Sequence, residues 1–348
     1  MLAAAAVLTG CGDRGAIEAG GRIVGPNVTI YSSLPDPERG VGRDMVDAQK
    51  LAIAQAHGRA GDVGINFFSV DEGALGQDSP PKVAGVATEQ VIRDPQVIAA
   101  IGAVRSDTAL TAVPLYNAAG VLLVSPGAGY TGFTDPVGPG EPERWFPSGH
   151  QTFARVVGDD ADQARTLVSV ARRAGDRIAV ESEAGKVPEA LTTELERAAG
   201  QVVQSRPDAV IYSGTDLRSA VGVAESLARE HPRATLVFPD ELTRAGLAAA
   251  LPLAVRRRAV FVSSAPKPGS TAELREFERA FTDAFSRAPD PYAVLTYRAM
   301  RRVLDAIAAA GSRARLRREV IARYLALPPA ADGFTAFRVR GGQRAYLR

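Results

Sequence analysis

Cysteine occurs once in these 348 residues, at Cys11, so an intrachain disulfide is excluded. Histidine occurs three times, and His57, His150 and His231 lie too far apart in sequence to make a metal-ligand cluster. An excess of one charge is also missing. The 41 Lys+Arg against 39 Asp+Glu leave a formal +2, which gives no ground for a nucleic-acid surface. No run after residue 25 is long and apolar enough to span a bilayer. The signatures of common catalytic folds are absent too. Ser32 to Gly40, after the first expected strand, is not G-x-G-x-x-G, and neither a G-x-S-x-G elbow nor a phosphate loop ending in Lys-Ser/Thr is present. No catalytic residue, metal or cofactor is therefore expected.

A hydrophobic fraction of 46% with 23% charged residues describes a soluble globular chain, long enough for two domains of ordinary size. Ala, Arg and Gly are abundant, which a GC-rich genome produces without functional cause. Met1 to Cys11 is an apolar run ending in L-T-G-C, which resembles a bacterial lipobox. The polar, glycine-rich stretch from Gly12 to Gly25 then reads as a tether. The resemblance implies lipid on Cys11 and anchoring at a membrane surface. No positive charge precedes Cys11, so the natural start is expected upstream of Met1. An ordinary buried cysteine behind an apolar helix start is the plainer alternative.

The most informative stretch is Val97 to Thr134. Val97–Val104 has the length and β-branched content of a buried strand. Arg105-Ser106-Asp107-Thr108 follows, rich in N-capping residue types, and a helical spacing places Leu110, Val113 and Tyr116 near one face. After Gly120, Val121–Val124 reads as a second buried strand. It ends in Ser125-Pro126-Gly127-Ala128-Gly129-Tyr130-Thr131, a loop of small residues that lets a ligand approach the backbone. Two parallel strands thus end in polar loops at one sheet edge, where open α/β folds bind ligands.

Along the chain, strands are expected at 27–33, 64–70, 177–181, 209–212, 235–238 and 259–263. Helices are expected near 43–57, 159–174, 188–199, 217–230, 271–286 and 291–310, with a closing hairpin at 334–347. This order, with G-A-V-R-S-D-T, V-L-L-V-S-P-G-A-G-Y-T, Arg144-Trp145-Phe146-Pro147 and Asp290-Pro291-Tyr292-Ala293, resembles the periplasmic Leu/Ile/Val-binding protein family, the type I substrate-binding proteins of ABC importers. The resemblance covers nearly everything after Asn27. It implies an α/β fold of two Rossmann-like lobes with parallel sheets joined by three crossings. The expected divisions are 1–26 as signal remnant and tether, 27–148 plus 265–332 as one lobe, and 149–264 plus 333–348 as the other.

The resemblance also assigns a ligand site. Ser106 and the second loop, at Gly127, Ala128 and Gly129, match positions that hold an amino acid's carboxylate and ammonium, while Asp240, after Phe238-Pro239, matches the acidic partner of the ammonium. Tyr292 matches an aromatic beside the cleft. Read from the residues, Ser106 and Thr108 either cap a helix or touch the ligand. Arg105, beside Asp107, either grips an acid group or is a solvated charge. Tyr130 lies over a ligand or packs on its loop, Asp240 binds or caps the next helix, and Thr215 ends another strand of the second lobe.

Three departures stand out. Gly129 replaces the family's usual threonine, and Glu183-Ala184-Gly185 stands where a tyrosine is common. Ala199 to Asp208 is too short for a strand at Val202–Gln204 followed by a crossover helix, so the second lobe is expected to be shortened. The implied function is an extracytoplasmic, lipid-anchored binding protein that takes a small amino-acid-like or carboxylate ligand and delivers it to an importer permease. Its alternative is a sensing or partner-binding lipoprotein that keeps the fold without transport.

Overall fold

The computed structural model describes residues 22–73, 81–330 and 332–347. Cys11 and residues 12–21 of the expected tether lie outside the described residues, while Arg22 and Ile23 are not tether: Arg22 bridges Leu316, and Ile23 is buried in the first-lobe core with its amide on the Arg315 carbonyl at 2.8 Å. Two six-stranded sheets form the frame. The first contains β1 (Asn27–Leu34), β2 (Arg59–Ala60), β3 (Val63–Asp71), β4 (Val97–Gly102), β5 (Leu122–Ser125) and β6 (Phe153–Arg155), in the order β2-β3-β1-β4-β5-β6. The second contains β7 (Ile178–Ser182), β8 (Ala209–Ser213), β9 (Thr235–Phe238), β10 (Ala259–Ser263), β11 (Thr335–Arg340) and β12 (Gln343–Tyr346), in sequence order across the sheet. β3, β1, β4, β5 and β6 are mutually parallel, as are β7 to β10, while the short β2 pairs antiparallel with β3 and β11 antiparallel with β10. The closing hairpin β11–β12 is antiparallel and turns at Gly341-Gly342, both at positive φ.

Burial explains why the strands read as apolar runs. Every residue of β4, β5, β8 and β10 is buried, because helices cover both faces of a parallel sheet. On one face of the first sheet lie α1 (Gly40–Gln55), α10 (Ala272–Phe285), α11 (Ala293–Ala310) and α12 (Arg317–Leu325), packed on Val28, Ile30, Ile98 and Val124. The other face carries α2 (Pro81–Ile92) and α3 (Ser106–Ala118), with an aromatic group of Tyr130, Phe133, Trp145 and Phe153. Phe153–Arg155, beyond the division at 148, still pairs with β5.

In the second sheet, α4 (Asp160–Arg172) and α5 (Lys186–Ala199) pack on Ile211, Val237, Val260 and Val262. On the opposite face, α6 (Leu217–Glu230) and the short helices α7 (Asp240–Arg244), α8 (Leu247–Ala250) and α9 (Leu253–Arg256) pack on Tyr212, Phe238 and Phe261. The expected shortening has a topological consequence. Residues 202–204 form no strand, and α5 leads straight to β8, with the Val203 amide donating to the Ile178 carbonyl at 2.9 Å. The steps β7–β8, β8–β9 and β9–β10 all move the same way across the sheet. Because α5 lies on the face opposite α6 to α9, the β7–α5–β8 crossover has the opposite hand from the two that follow. Parallel crossovers are overwhelmingly right-handed, so this unit is the unusual one.

The strand ends that approach each other are tightly packed. A Cβ on Gly102, at the end of β4, would fall on the Ser33 carbonyl oxygen and within 2.7 Å of its Cβ. Gly102→Ala is therefore expected to push β1 and β4 apart and to cost about 1–3 kcal/mol, read as a lower midpoint in a denaturant titration.

Candidate functional site

The carboxyl ends of β1, β3, β4 and β5 face those of β9 and β10, and a network of buried charged groups lies between them. Its first part is built on the β4–α3 loop. Glu72, just past β3, is buried and accepts from the backbone amides of Ala103 and Val104, each at 2.9 Å, and from the Ser33 hydroxyl at 3.5 Å. Ala103 sits at φ +54, a left-handed conformation that disfavours any residue with a Cβ. Glu72 holds its amide and the Ser125 hydroxyl donates to its carbonyl at 2.7 Å, so two side chains enforce that turn. Glu72 was not singled out from the sequence. Its loop offered no motif, and only the fold brings it to Ala103.

The capping expected at α3 is not what forms. Arg105 occupies the N-cap position, with no side-chain cap among the described residues. The Ser106 hydroxyl instead accepts the Tyr130 amide across to the second loop, at 3.2 Å. Thr108 donates its hydroxyl to the Arg105 carbonyl at 2.9 Å, while Asp107 accepts the Thr108 amide at 2.6 Å. Arg105 is only 4% exposed, so it is not a solvated charge. It donates Nε to Asp107 at 2.9 Å and makes a second bond to the same carboxylate through Nη2. Its Nε also lies 3.6 Å from Oε1 of Glu241, in the opposite lobe.

The second part is centred on Asp240, which is buried and does not cap its helix, since Pro239 holds the N-cap position of α7. The carboxylate accepts four donors: the Ser264 amide at 2.8 Å, the Ser264 hydroxyl at 2.9 Å, the Tyr292 hydroxyl at 2.7 Å, and Nη2 of Arg244. Tyr292 in turn accepts from Ser263 at 2.9 Å. Arg244, whose side chain is 1% exposed, crosses to the first lobe. There Nη1 donates to the Val104 carbonyl at 2.6 Å and Nη2 to the Gly127 carbonyl at 3.3 Å.

The small residues of the second loop now have a physical cause. A Cβ on Gly127 would lie 2.7 Å from Cζ of Arg244, and one on Gly129 would lie 2.8 Å from Oδ1 of Asp160. Both glycines make room for side chains from the facing lobe. Asp160, at the start of α4, also donates its amide to the Gly129 carbonyl at 2.8 Å. Ala128 is buried, with its amide on the Ser125 hydroxyl at 2.8 Å.

Two expected site residues belong elsewhere. Tyr130 packs edge-on against Phe133 and Trp145 and donates to Glu141 at 2.8 Å, which is the packing role. Thr215 has its amide on Glu183, at 2.7 Å, at the end of β8. The Tyr130 group nevertheless touches the other lobe. Lys186, at the start of α5, bonds the buried Glu141 at 2.7 Å and lies 5.4 Å from the Tyr130 ring centroid and 5.3 Å from that of Trp145.

Carboxylates predominate in this network. Glu72, Asp107, Asp160, Asp240 and Glu241 face Arg105, Arg155 and Arg244. Oε1 of Glu241 and Oδ2 of Asp160 are buried and accept no hydrogen bond among the described residues. Burial, then the Asp107 charge, pushes Glu241 up to about 8 against the pull of Arg105 and Arg244. Burial likewise raises Asp160 to about 7, with Arg155 opposing, and Glu72 to about 7, against the pull of its backbone donors.

Two α/β sheets with facing carboxyl strand ends, joined by three chain crossings, form the type I periplasmic binding protein fold. Among solved structures, an ABC transporter substrate-binding protein from Desulfitobacterium hafniense in complex with Leu superposes with a TM-score of 0.74 at 14% identity, over 92% of this chain and all of that one. A leucine-binding protein from Thermotoga maritima gives 0.71 at 16% identity, over 92% of this chain and 98% of that one. A solute-binding protein from R. palustris in complex with benzoate gives 0.69 at 19%, over 92% and 95%. No protein-family model and no curated protein matches the chain.

The raised carboxyls predict a pH dependence with a definite sign. Each binds a proton more tightly in the folded chain than in the unfolded one, so its stabilising contribution is complete below about pH 4 and is lost as pH rises through about 7 for Asp160 and Glu72 and about 8 for Glu241. The melting temperature is therefore expected to fall between pH 5 and pH 8.5, and Glu241→Gln is expected to flatten the upper part of that fall. Calorimetric scans at half-unit pH steps measure both slopes.

Proposed function

We propose that this chain is an extracytoplasmic, lipid-anchored solute-binding protein that takes a small polar ligand between its lobes and offers the closed form to the permease of an ABC importer. One observation carries the reading. Buried charged groups from both sheets converge at facing strand ends, where Glu241 and Arg105 meet across the lobes. Such a site grips a ligand by directed polar groups and closes on it by hinge motion. The fold shared with solute-binding proteins, at low identity, supports the same reading. Binding, not turnover, is its activity.

Of the two ligand classes expected, the charge inventory favours the amino-acid-like one. A bare carboxylate would enter a network already richer in acids than in bases. A ligand with an ammonium group would answer the buried, undonated Oε1 of Glu241, while Arg105 and the start of α3 suit its carboxylate. Asp240 serves this ligand by holding Ser264 and Tyr292 at the second-lobe side of the cleft, and lipid on Cys11 would keep the protein at the membrane. The sensing or partner-binding alternative is favoured by the direct bonds that Arg244 makes between the lobes.

A thermal-shift screen of amino acids and small carboxylates tests this function. A true ligand at a hundredfold excess over its Kd adds about 2.7 kcal/mol of stability. Ser106→Ala and Asp240→Asn are each expected to weaken its binding at least tenfold, by loosening the two loops. A flat panel would favour the sensing alternative, and unchanged affinity in both variants would refute the site.

A further inference from the structure

We propose that Arg244 is a built-in occupant of the interlobe cleft, so that the chain holds its own lobes together and a solute enters by displacing this arginine. The second clause rests on the solute-binding reading above, whereas the first stands on geometry alone. The guanidinium leaves α7 in the second lobe and ends on two backbone carbonyls of the first, Val104 and Gly127. These carbonyls close the β4 and β5 loops, where sequence and fold both place the site. The fork is held from behind by Asp240, four residues earlier on the same helix, whose other donors are Ser264 and Tyr292. The ring of Tyr292 lies 5.3 Å from the guanidinium carbon.

The first lobe is shaped to receive this group. Gly127 lacks the Cβ that would collide with both the guanidinium and the Val104 carbonyl oxygen that accepts from it. Gly129 is matched in the same way to Asp160, so the second loop is complementary to side chains of its own chain at two positions. At the rim, Lys186 bonds Glu141, and Ala190 of α5 packs against the aromatic core of the first lobe. A cation already seated on these carbonyls competes with any ligand cation for them. Breaking the bridge leaves Arg244 to be resolvated, and removing one partner of a buried ion pair is far more disruptive than the pair is stabilising.

The distance between spin labels at Val86→Cys on α2 and Arg229→Cys on α6, in a Cys11→Ser background, reads lobe closure directly. Protein refolded and dialysed free of solutes is expected to show one short distance. Arg244→Met, which keeps the bulk and loses the donors, is expected to move it to longer values with the far-UV circular dichroism unchanged. Arg244→Ala is expected to open in the same way, to close again in millimolar guanidinium, and to stay open in tetramethylammonium at equal ionic strength. The proposal is overturned if the wild-type chain is already open, if both variants remain at the short distance, or if guanidinium fails to close Arg244→Ala. The two readings fail separately. A chain that opens unaided yet binds a solute in the thermal-shift panel loses the bridge and keeps its function, whereas a chain closed by Arg244 that takes no solute does the reverse.

Discussion

The arrangement of the two lobes depends on one buried ion pair. Asp240 and Arg244 are nearly inaccessible to water, and a pair so placed is tolerable only when the remaining lone pairs and protons are matched. Asp240 meets this condition completely, with the Ser264 amide and hydroxyl and the Tyr292 hydroxyl filling its acceptor sites. Arg244 meets it by crossing to the other lobe, and its Nε is the one atom left over. The charge that organises the second lobe thus finds its last partners in the first, which ties local structure on α7 to the relation between the lobes.

Arginine recurs in this fold as a clamp on backbone carbonyls. Arg155 donates to the Gly129 and Tyr130 carbonyls and shapes the second loop. Arg317, buried on α12, donates to the Val97 and Pro95 carbonyls and pins the entrance to β4. Arg258 gathers the Ala228 and Ala234 carbonyls ahead of β9. A planar fork with five donors suits this task, because one side chain can satisfy two or three carbonyls that turn away from a sheet. The abundance of arginine, which composition alone attributes to genome bias, therefore includes residues on which the loops depend.

Much of the fold was legible because parallel sheets write a strong signal. The fully buried β4, β5, β8 and β10 appear as short apolar runs, and α6 and α10 as amphipathic stretches between them. The short connection at 199–208 was legible as a defect, but its result, a crossover of reversed hand, was not. Handedness depends on which face a helix takes, and both faces of this sheet are apolar. In the interlobe network, Asp107, Asp240 and Tyr292 were singled out by the family resemblance and Glu241 only as the neighbour of Asp240, whereas Glu72, Asp160 and Arg244 carried no local motif.

By itself the sequence determined the order of elements and the two polar loops after β4 and β5, and its single cysteine excluded an intrachain disulfide among these 348 residues. These follow from patterns confined to a few neighbouring residues, which elementary sterics and burial translate directly into structure. Only the tertiary structure decided that Ser106 ties two loops instead of capping a helix, that Tyr130 packs in the core, and that the glycines at 127 and 129 are matched to Arg244 and Asp160. The Ser106 tie and both glycine matches join residues from 24 to 117 positions apart, and the Tyr130 packing draws together residues of separate loops. Their energy comes from removing charge and polar groups from water, and that happens only once both sheets are built and facing each other.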